Sequence, residues 1–241
     1  MKRPIRGYRG ALFDLDGTLA DSMPLWDRLC RNWLAAQGKT PGEDLEADIA
    51  KLSLNAGAEY VIRRYGFDCS PQEMIAQWET LVLERYTATV PLKEEPAALV
   101  RELHAAGVKL AVVTSCFPAA CEGFLGRHNL RPLFSAVLYT DESPEDKSSP
   151  AIWLAAARRL GLESSDCIVF EDAYHAQQGA RAAGMGFAAV YDGACKDWEL
   201  MKAQADWIIG GAGNSTAARA GGLPRKERRK PRIPTAAPAS G

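Results

Sequence analysis

Four groups of reactive side chains are spread along this chain. The stretch "YRGALFDLDGTLADSMPLW", residues 8 to 26, carries Asp14 and Asp16 one residue apart, after the apolar Ala11-Leu12-Phe13 and before Gly-Thr. Farther on come Thr114-Ser115 at the end of a second apolar run, Lys147 in the segment Asp141 to Pro150, and Glu171-Asp172 at the end of a third run. Short apolar runs of this kind read as strands buried on both faces, and an ionised carboxylate at such a position is costly unless a cation or donors meet it. Brought together, the four carboxylates would repel one another, so a divalent cation and a lysine are their natural neutralisers. With that cation and Lys147 the group keeps a net charge of −1. Ligands that are all oxygen favour a hard cation, and so few of them suit Mg2+ with retained waters and a substrate phosphate.

The elements that must position these groups follow from the apolar pattern. Strand candidates are Ala11 to Leu15, Leu110 to Thr114, Ala136 to Tyr139, Cys167 to Glu171 and Phe187 to Tyr191, separated by helical or loop-rich segments. That alternation predicts an α/β fold, a Rossmann-like parallel sheet. Helices are expected over Pro96 to Ala106, closed by Gly107, and over Ala151 to Leu160, closed by Gly161. About 75 residues lie between the first two strands, far more than a crossover needs. They read as helices throughout. Met23 to Gln37 has apolar residues at 25, 26, 29, 33 and 34 and ends at Gly38. Leu52 to Tyr65 ends at Gly66, and Ser70-Pro71-Gln72-Glu73 has the form of a capping box opening a helix through Arg85. In an open parallel sheet ligands bind along the carboxyl edge of the strands, where all four reactive groups would fall.

The segments "DLDGTLADS", "VVTS", "DKSSP" and "VFEDAYHAQQGARAAGM" resemble, in order, the four motifs of the haloacid dehalogenase-like superfamily, over about residues 8 to 210. Ala173 and Ala176 replace the serine and glycine common in the last of them. The resemblance implies that Asp14 is a nucleophile toward phosphorus and Asp16 the general acid and base. It implies that Asp14, the backbone carbonyl of Asp16, and Asp172 hold Mg2+, that Thr114, Ser115 and Lys147 bind the phosphoryl group, and that Glu171 acts through water or Lys147. A carboxylate nucleophile would form an acyl phosphate, splitting one hard hydrolysis into two easier transfers, and a second carboxyl close by would serve the leaving alkoxide and the water. Asp16 itself points to a phosphatase or phosphomutase, since the superfamily's dehalogenases, phosphonate hydrolases and P-type ATPases lack an aspartate there. The helical insertion is similar to the C1 cap of the β-phosphoglucomutase-like and phosphoglycolate phosphatase-like subfamily. The implied organisation is an α/β core of residues 1–19 and 92–210 with an α-helical cap domain of residues 20–91, in which specificity would reside.

Composition bounds the alternatives. With 241 residues, 47% of them hydrophobic, the chain can bury a full core. Lys2, Arg3, Arg6 and Arg9 precede an apolar stretch too short for a signal peptide, and no window reaches a membrane-spanning length. Six cysteines form no C-x-x-C pair, which favours a reducing cytoplasm over a zinc or redox site. Residues 211–241 hold seven basic side chains against the single acid Glu227, with many Gly, Ala and Pro, and are expected to be a disordered tail. A basic run of this kind can bind nucleic acid, but a solubilising extension is the reading adopted here. A phospho-accepting signalling domain also uses aspartates, Thr, Lys and Mg2+, but its acidic pair precedes the accepting aspartate, the reverse of the order here. Trp33 and Trp78 read as core of the insertion, Trp26 as the tryptophan best placed to touch substrate, and Arg63-Arg64 as a solvated helix face. In "IAKLSLNAGAEYVIRR", Lys51 and Ser53 stand where a mutase of this subfamily would supply an arginine for a distal phosphate. The expected protein is a monomeric, Mg2+-dependent phosphatase for a small phosphorylated metabolite, with a phosphomutase as the alternative.

Overall fold

A computed structural model describes residues 3–49, 52–142 and 145–211. Its centre is one parallel sheet of six strands, β1 (Gly10–Phe13), β2 (Lys109–Thr114), β3 (Ala136–Tyr139), β4 (Cys167–Glu171), β5 (Gly186–Val190) and β6 (Trp207–Ile209), in the order β3-β2-β1-β4-β5-β6. β1 is flanked by β2 on one side and β4 on the other, so the winding reverses at β1 and a crevice opens beyond its carboxyl end. Side chains alternate across the sheet as the pleat requires. Ala11 and Phe13 join one buried cluster and Leu12 the other. Phe13 stacks on its neighbour Phe170 with ring centroids 4.3 Å apart.

Five helices cover this sheet. On the face of Phe13 lie α6 (Glu94–Ala105) and α7 (Pro118–Arg127), through residues such as Val100, Leu103 and Phe124. The other face is covered by α8 (Ala151–Leu160), α9 (Tyr174–Ala182) and α10 (Trp198–Gln204), with Trp153, Ala180 and Met201 in its core. Both αL glycines expected to close helices do so, Gly107 at φ 80° and Gly161 at φ 66°. The strand expected to run to Leu15 ends at Phe13. There the backbone amides of Leu19 and Ala20 both turn back onto the Leu15 carbonyl, at 2.8 Å each, and Gly17 takes φ 79°. The strand expected over Phe187 to Tyr191 is shifted one residue earlier, and β6 has no counterpart among the expected strands.

The chain leaves this layer at Ala20 and returns at Leu92, and the two crossings are paired side by side. Ala20 and Leu92 form an antiparallel bridge, the Asp21 amide donates to the Pro91 carbonyl at 2.9 Å, and the Lys93 amide to the Leu19 carbonyl at 2.8 Å. Between them lie α1 (Met23–Trp26), α2 (Leu29–Ala36), α3 (Leu45–Ile49), α4 (Leu54–Tyr65) and α5 (Pro71–Ala88). The single helix expected over Met23 to Gln37 is two, because the chain bends at Arg28, φ −116° and ψ 2°, as Trp26 turns to bond Tyr86. The capping box forms at Ser70 and Glu73, and α5 continues past Arg85 because Tyr86 packs edge-on against Phe124 of α7. Trp33 and Trp78 are buried against each other, as expected. Arg63 and Arg64 are exposed, as expected, and Arg64 also bonds Asp44 and Asp48 at 2.6 and 2.7 Å, tying α3 to α4.

Among the described residues, no helix is long and apolar enough to cross a membrane. The basic tail expected over residues 211–241 lies outside the described residues from 212 onward, and so does Lys51.

Candidate active site

Beyond the carboxyl ends of β1, β2 and β4 the structure gathers a buried polar cluster. Asp14 follows β1 directly, and its amide still donates to Phe170 of β4 at 3.0 Å, so the nearby sheet ladder fixes its direction. Asp14, Glu171 and Asp172 are all buried and each offers an oxygen within 4.8 Å of the others. Lys147 reaches into this trio: its ammonium bonds Asp14 and, at 3.0 Å, Glu171. The loop carrying Lys147 is held from below, where Trp153 donates its indole N–H to the Lys147 carbonyl at 2.9 Å. Gly179 of α9 lies so close to that carbonyl that no side chain would fit there. Glu171 has both oxygens committed, one to Lys147 and one to the Ala173 amide at 2.6 Å. It is thereby tied to the lysine.

Asp172 accepts a 3.0 Å hydrogen bond from Thr18, the threonine two residues past Asp16. Gly17, between them, sits at φ 79° with its α-carbon against the Asp172 carboxylate, so a Cβ would collide with it. This is a close approach that only glycine permits. Thr114 is fully buried at the end of β2, and its hydroxyl oxygen accepts the Cys116 amide at 2.9 Å, which leaves its O–H free to donate into the crevice. Ser115 is exposed and makes no hydrogen bond among the described residues. Cys116 is buried and its thiol is pushed far up by burial, which leaves it inert packing.

The Asp16 carboxylate lies apart from the trio. Its Oδ1 accepts hydrogen bonds from Ser22 at 2.7 Å and from the Tyr86 hydroxyl. Ser22 and Tyr86 were not among the expected site residues, and neither were Thr18 and Lys93. Lys93 bonds the Gly17 carbonyl, the Asp192 carboxylate at 2.6 Å and the Tyr191 carbonyl at 2.8 Å, tying the return crossing to the loop of Asp14 and Asp16. Thr18 and Ser22 are short polar residues within the first motif, so their positions carried a signal. Tyr86 carried none, because it falls on the buried stripe of an amphipathic helix.

One ammonium faces three buried carboxylates, a formal charge of −2. Burial drives the Asp14 carboxyl up to about 8, with the Lys147 charge opposing and the charges of Glu171 and Asp16 adding to the rise. Asp172 is raised well above the carboxylate range by burial, then by the charges of Glu171 and Asp14. Burial disfavours the Lys147 charge too, but Asp14 and Glu171 outweigh it and keep the ammonium protonated. A cluster of hard oxygen donors short of positive charge fits a divalent hard cation.

A doubly wound α/β sheet with carboxylates and a lysine at its switch point defines an α/β enzyme that handles an anionic substrate. The chain belongs to the haloacid dehalogenase-like hydrolase family, whose pattern it matches over residues 11–190. It is 32% identical to the fructose-1-phosphate phosphatase YqaB of Escherichia coli K12 over 186 residues, 74% of this chain and 94% of that one. It is 31% identical to hexitol phosphatase A of the same organism, over 76% of this chain and 82% of that one. The crystal structure of CbbY from Rhodobacter sphaeroides in complex with phosphate shares the fold, with a TM-score of 0.71 at 21% identity, covering 83% of this chain and 93% of that one.

Proposed function

We propose that the protein is a Mg2+-dependent phosphatase that hydrolyses a small phosphorylated metabolite through a phosphorylated Asp14. The observation that carries this reading is the buried trio of Asp14, Glu171 and Asp172 against the single ammonium of Lys147. The phosphatase relatives support the reaction class, and sugar or polyol phosphates are the substrates their names suggest.

In this reading Asp14 and Asp172, with the backbone carbonyl of Asp16, hold Mg2+. The bound ion would offset the repulsion between Asp14 and the phosphate and charge on the transferring oxygens. Lys147 and the free O–H of Thr114 donate to those oxygens, with Ser115 as a further donor at the rim. Asp14 attacks phosphorus in line as the bond to the ester oxygen breaks, and Asp16 gives its proton to the departing alkoxide. Water then attacks phosphorus of the acyl phosphate, Asp16 takes back the proton, and Asp14 is released with inorganic phosphate. Glu171 keeps Lys147 charged and aimed. The helices of residues 20–91 act as a cap that excludes water and meets the substrate, on a core of residues 1–19 and 92–210.

Hydrolysis is favoured over phosphoryl return to the substrate because Arg64, an arginine of the insertion, is already paired with Asp44 and Asp48. A cytoplasmic location is part of the reading, supported by six free cysteines, as is a monomer acting alone. The test is a screen of phosphate esters with Mg2+ and with chelator. Phosphate release that needs Mg2+ supports the reading; release undiminished by chelator overturns it. Hexose 1-phosphate should yield phosphate and free sugar in step, and accumulation of hexose 6-phosphate would establish the mutase instead.

A further inference from the structure

Asp16 must present its proton to a leaving oxygen and later recover one from water, so the orientation of its carboxyl group controls both steps. Both hydrogen bonds it receives fall on the same oxygen. Oδ1 takes the Ser22 hydroxyl at 2.7 Å and the Tyr86 hydroxyl, while Oδ2 has no hydrogen-bond partner among the described residues. Two donors on one oxygen fix the orientation of the carboxyl group and leave the other oxygen turned away from them.

The Tyr86 hydroxyl is itself fixed. It accepts the Trp26 indole N–H at 2.8 Å, so its own hydrogen is directed to Asp16. The Tyr86 ring is fully buried, edge-on to Phe124 at 5.9 Å, and its backbone carbonyl accepts Arg127 of α7 at 2.8 Å. Trp26 in turn leans on Phe117, three residues past Thr114, with centroids 6.1 Å apart. The chain of hydrogen bonds from Trp26 to Tyr86 to Asp16 thus begins on the first helix of the insertion, passes through its last and ends on the loop after β1.

Resting on the phosphatase reading above, we propose that Tyr86 is a positioning residue for Asp16. Its hydroxyl, aimed by Trp26, holds the Asp16 carboxyl by Oδ1 in one orientation and leaves Oδ2 for the leaving oxygen. The role belongs to the hydroxyl, since a phenyl ring would keep the packing. It acts on the acid, so it matters in proportion to how much the leaving group needs a proton.

The experiment compares Tyr86→Phe with the unaltered protein on two esters under saturating Mg2+, an alkyl phosphate such as glycerol 1-phosphate and the activated aryl ester p-nitrophenyl phosphate. The expected result is a kcat loss at least about tenfold larger on the alkyl ester than on the aryl ester, with KM changed less than kcat. Trp26→Phe, which leaves the tyrosine in place but unaimed, should show the same sign of difference at smaller size. Equal losses on both esters, or a loss carried by KM, would overturn the role and leave Tyr86 a packing residue. Should Tyr86→Phe fail to fold, Trp26→Phe decides the matter by the same ratio. If the unaltered protein releases phosphate from both esters but the ratio does not move, the positioning role alone fails. If it releases none from any ester, the phosphatase reading falls and the role with it.

Discussion

The charges at the strand ends and the charges in the helical insertion are arranged on opposite principles. In the insertion, every carboxylate of the ion pairs meets an arginine near solvent: Arg31 bonds Glu46, and Arg64 bonds Asp44 and Asp48, with Asp44 and Glu46 held below their usual range by those bonds. At the strand ends three carboxylates and one lysine are buried, and Asp14 and Asp172 are driven upward. Exposed pairs of the first kind contribute little but cost little, and serve to hold neighbouring helices together. A buried, unbalanced cluster is destabilising by itself, and such an arrangement is explained by a ligand that supplies the missing charge.

The contrast is broken or sharpened first by Asp14→Asn. The change is nearly isosteric, yet it should lower kcat by about four orders of magnitude or more, because the nucleophile and one cation ligand go together. The same variant should melt no lower than the unaltered protein in metal-free buffer at pH 8, since a buried negative charge has been removed. A clear drop in Tm would show that Asp14 serves stability. Lys147→Met is the converse. It leaves three buried carboxylates uncompensated and should cost about 3 kcal/mol or more of stability as well as most of the activity, read by denaturant titration and phosphate release.

The pH dependence of melting separates the two regions next. Asp14 and Asp172 bind protons in the folded chain that the unfolded chain has released, so their contribution is full below the ordinary carboxylate range and is lost as pH rises toward about 8. Mg2+ needs both groups ionised. The rise in Tm on adding Mg2+ should therefore be larger at pH 8 than at pH 5, and an equal rise at both would place the cation elsewhere. The smallest effect belongs to the insertion. Arg64→Ala should lower Tm by less than about 3 °C and leave kcat on p-nitrophenyl phosphate close to its original value, because the pairs it breaks are exposed.

The cluster at the strand ends was the more legible region. Polar residues after short apolar runs announce themselves, and β1, β2 and β4 end within a residue or two of where the apolar pattern stops. What escaped the sequence depends on contacts between distant segments. Tyr86 looks like any buried residue of an amphipathic helix until the fold brings it to Asp16, 70 positions away. Lys93 has no local motif to single it out, and its role comes only from the Gly17 carbonyl and Asp192 that it bonds. The three-residue strand β6 is too short for a periodic signal, and its backbone order comes from pairing with β5. The bend at Arg28 interrupts a continuous helical stripe for the sake of a hydrogen bond that local spacing does not contain.

The central claim is that Asp14 becomes phosphorylated during turnover. It is tested most directly by mixing the Mg2+-loaded protein with an excess of a hydrolysed ester, quenching in acid within the first turnovers, and mapping the added phosphate by peptide mass spectrometry. The account predicts a phosphoryl group on Asp14 in the unaltered protein and none on residue 14 of Asp14→Asn. Rapid phosphate release with no covalent phosphate on Asp14 at any quench time, or with the label on another side chain, would contradict it.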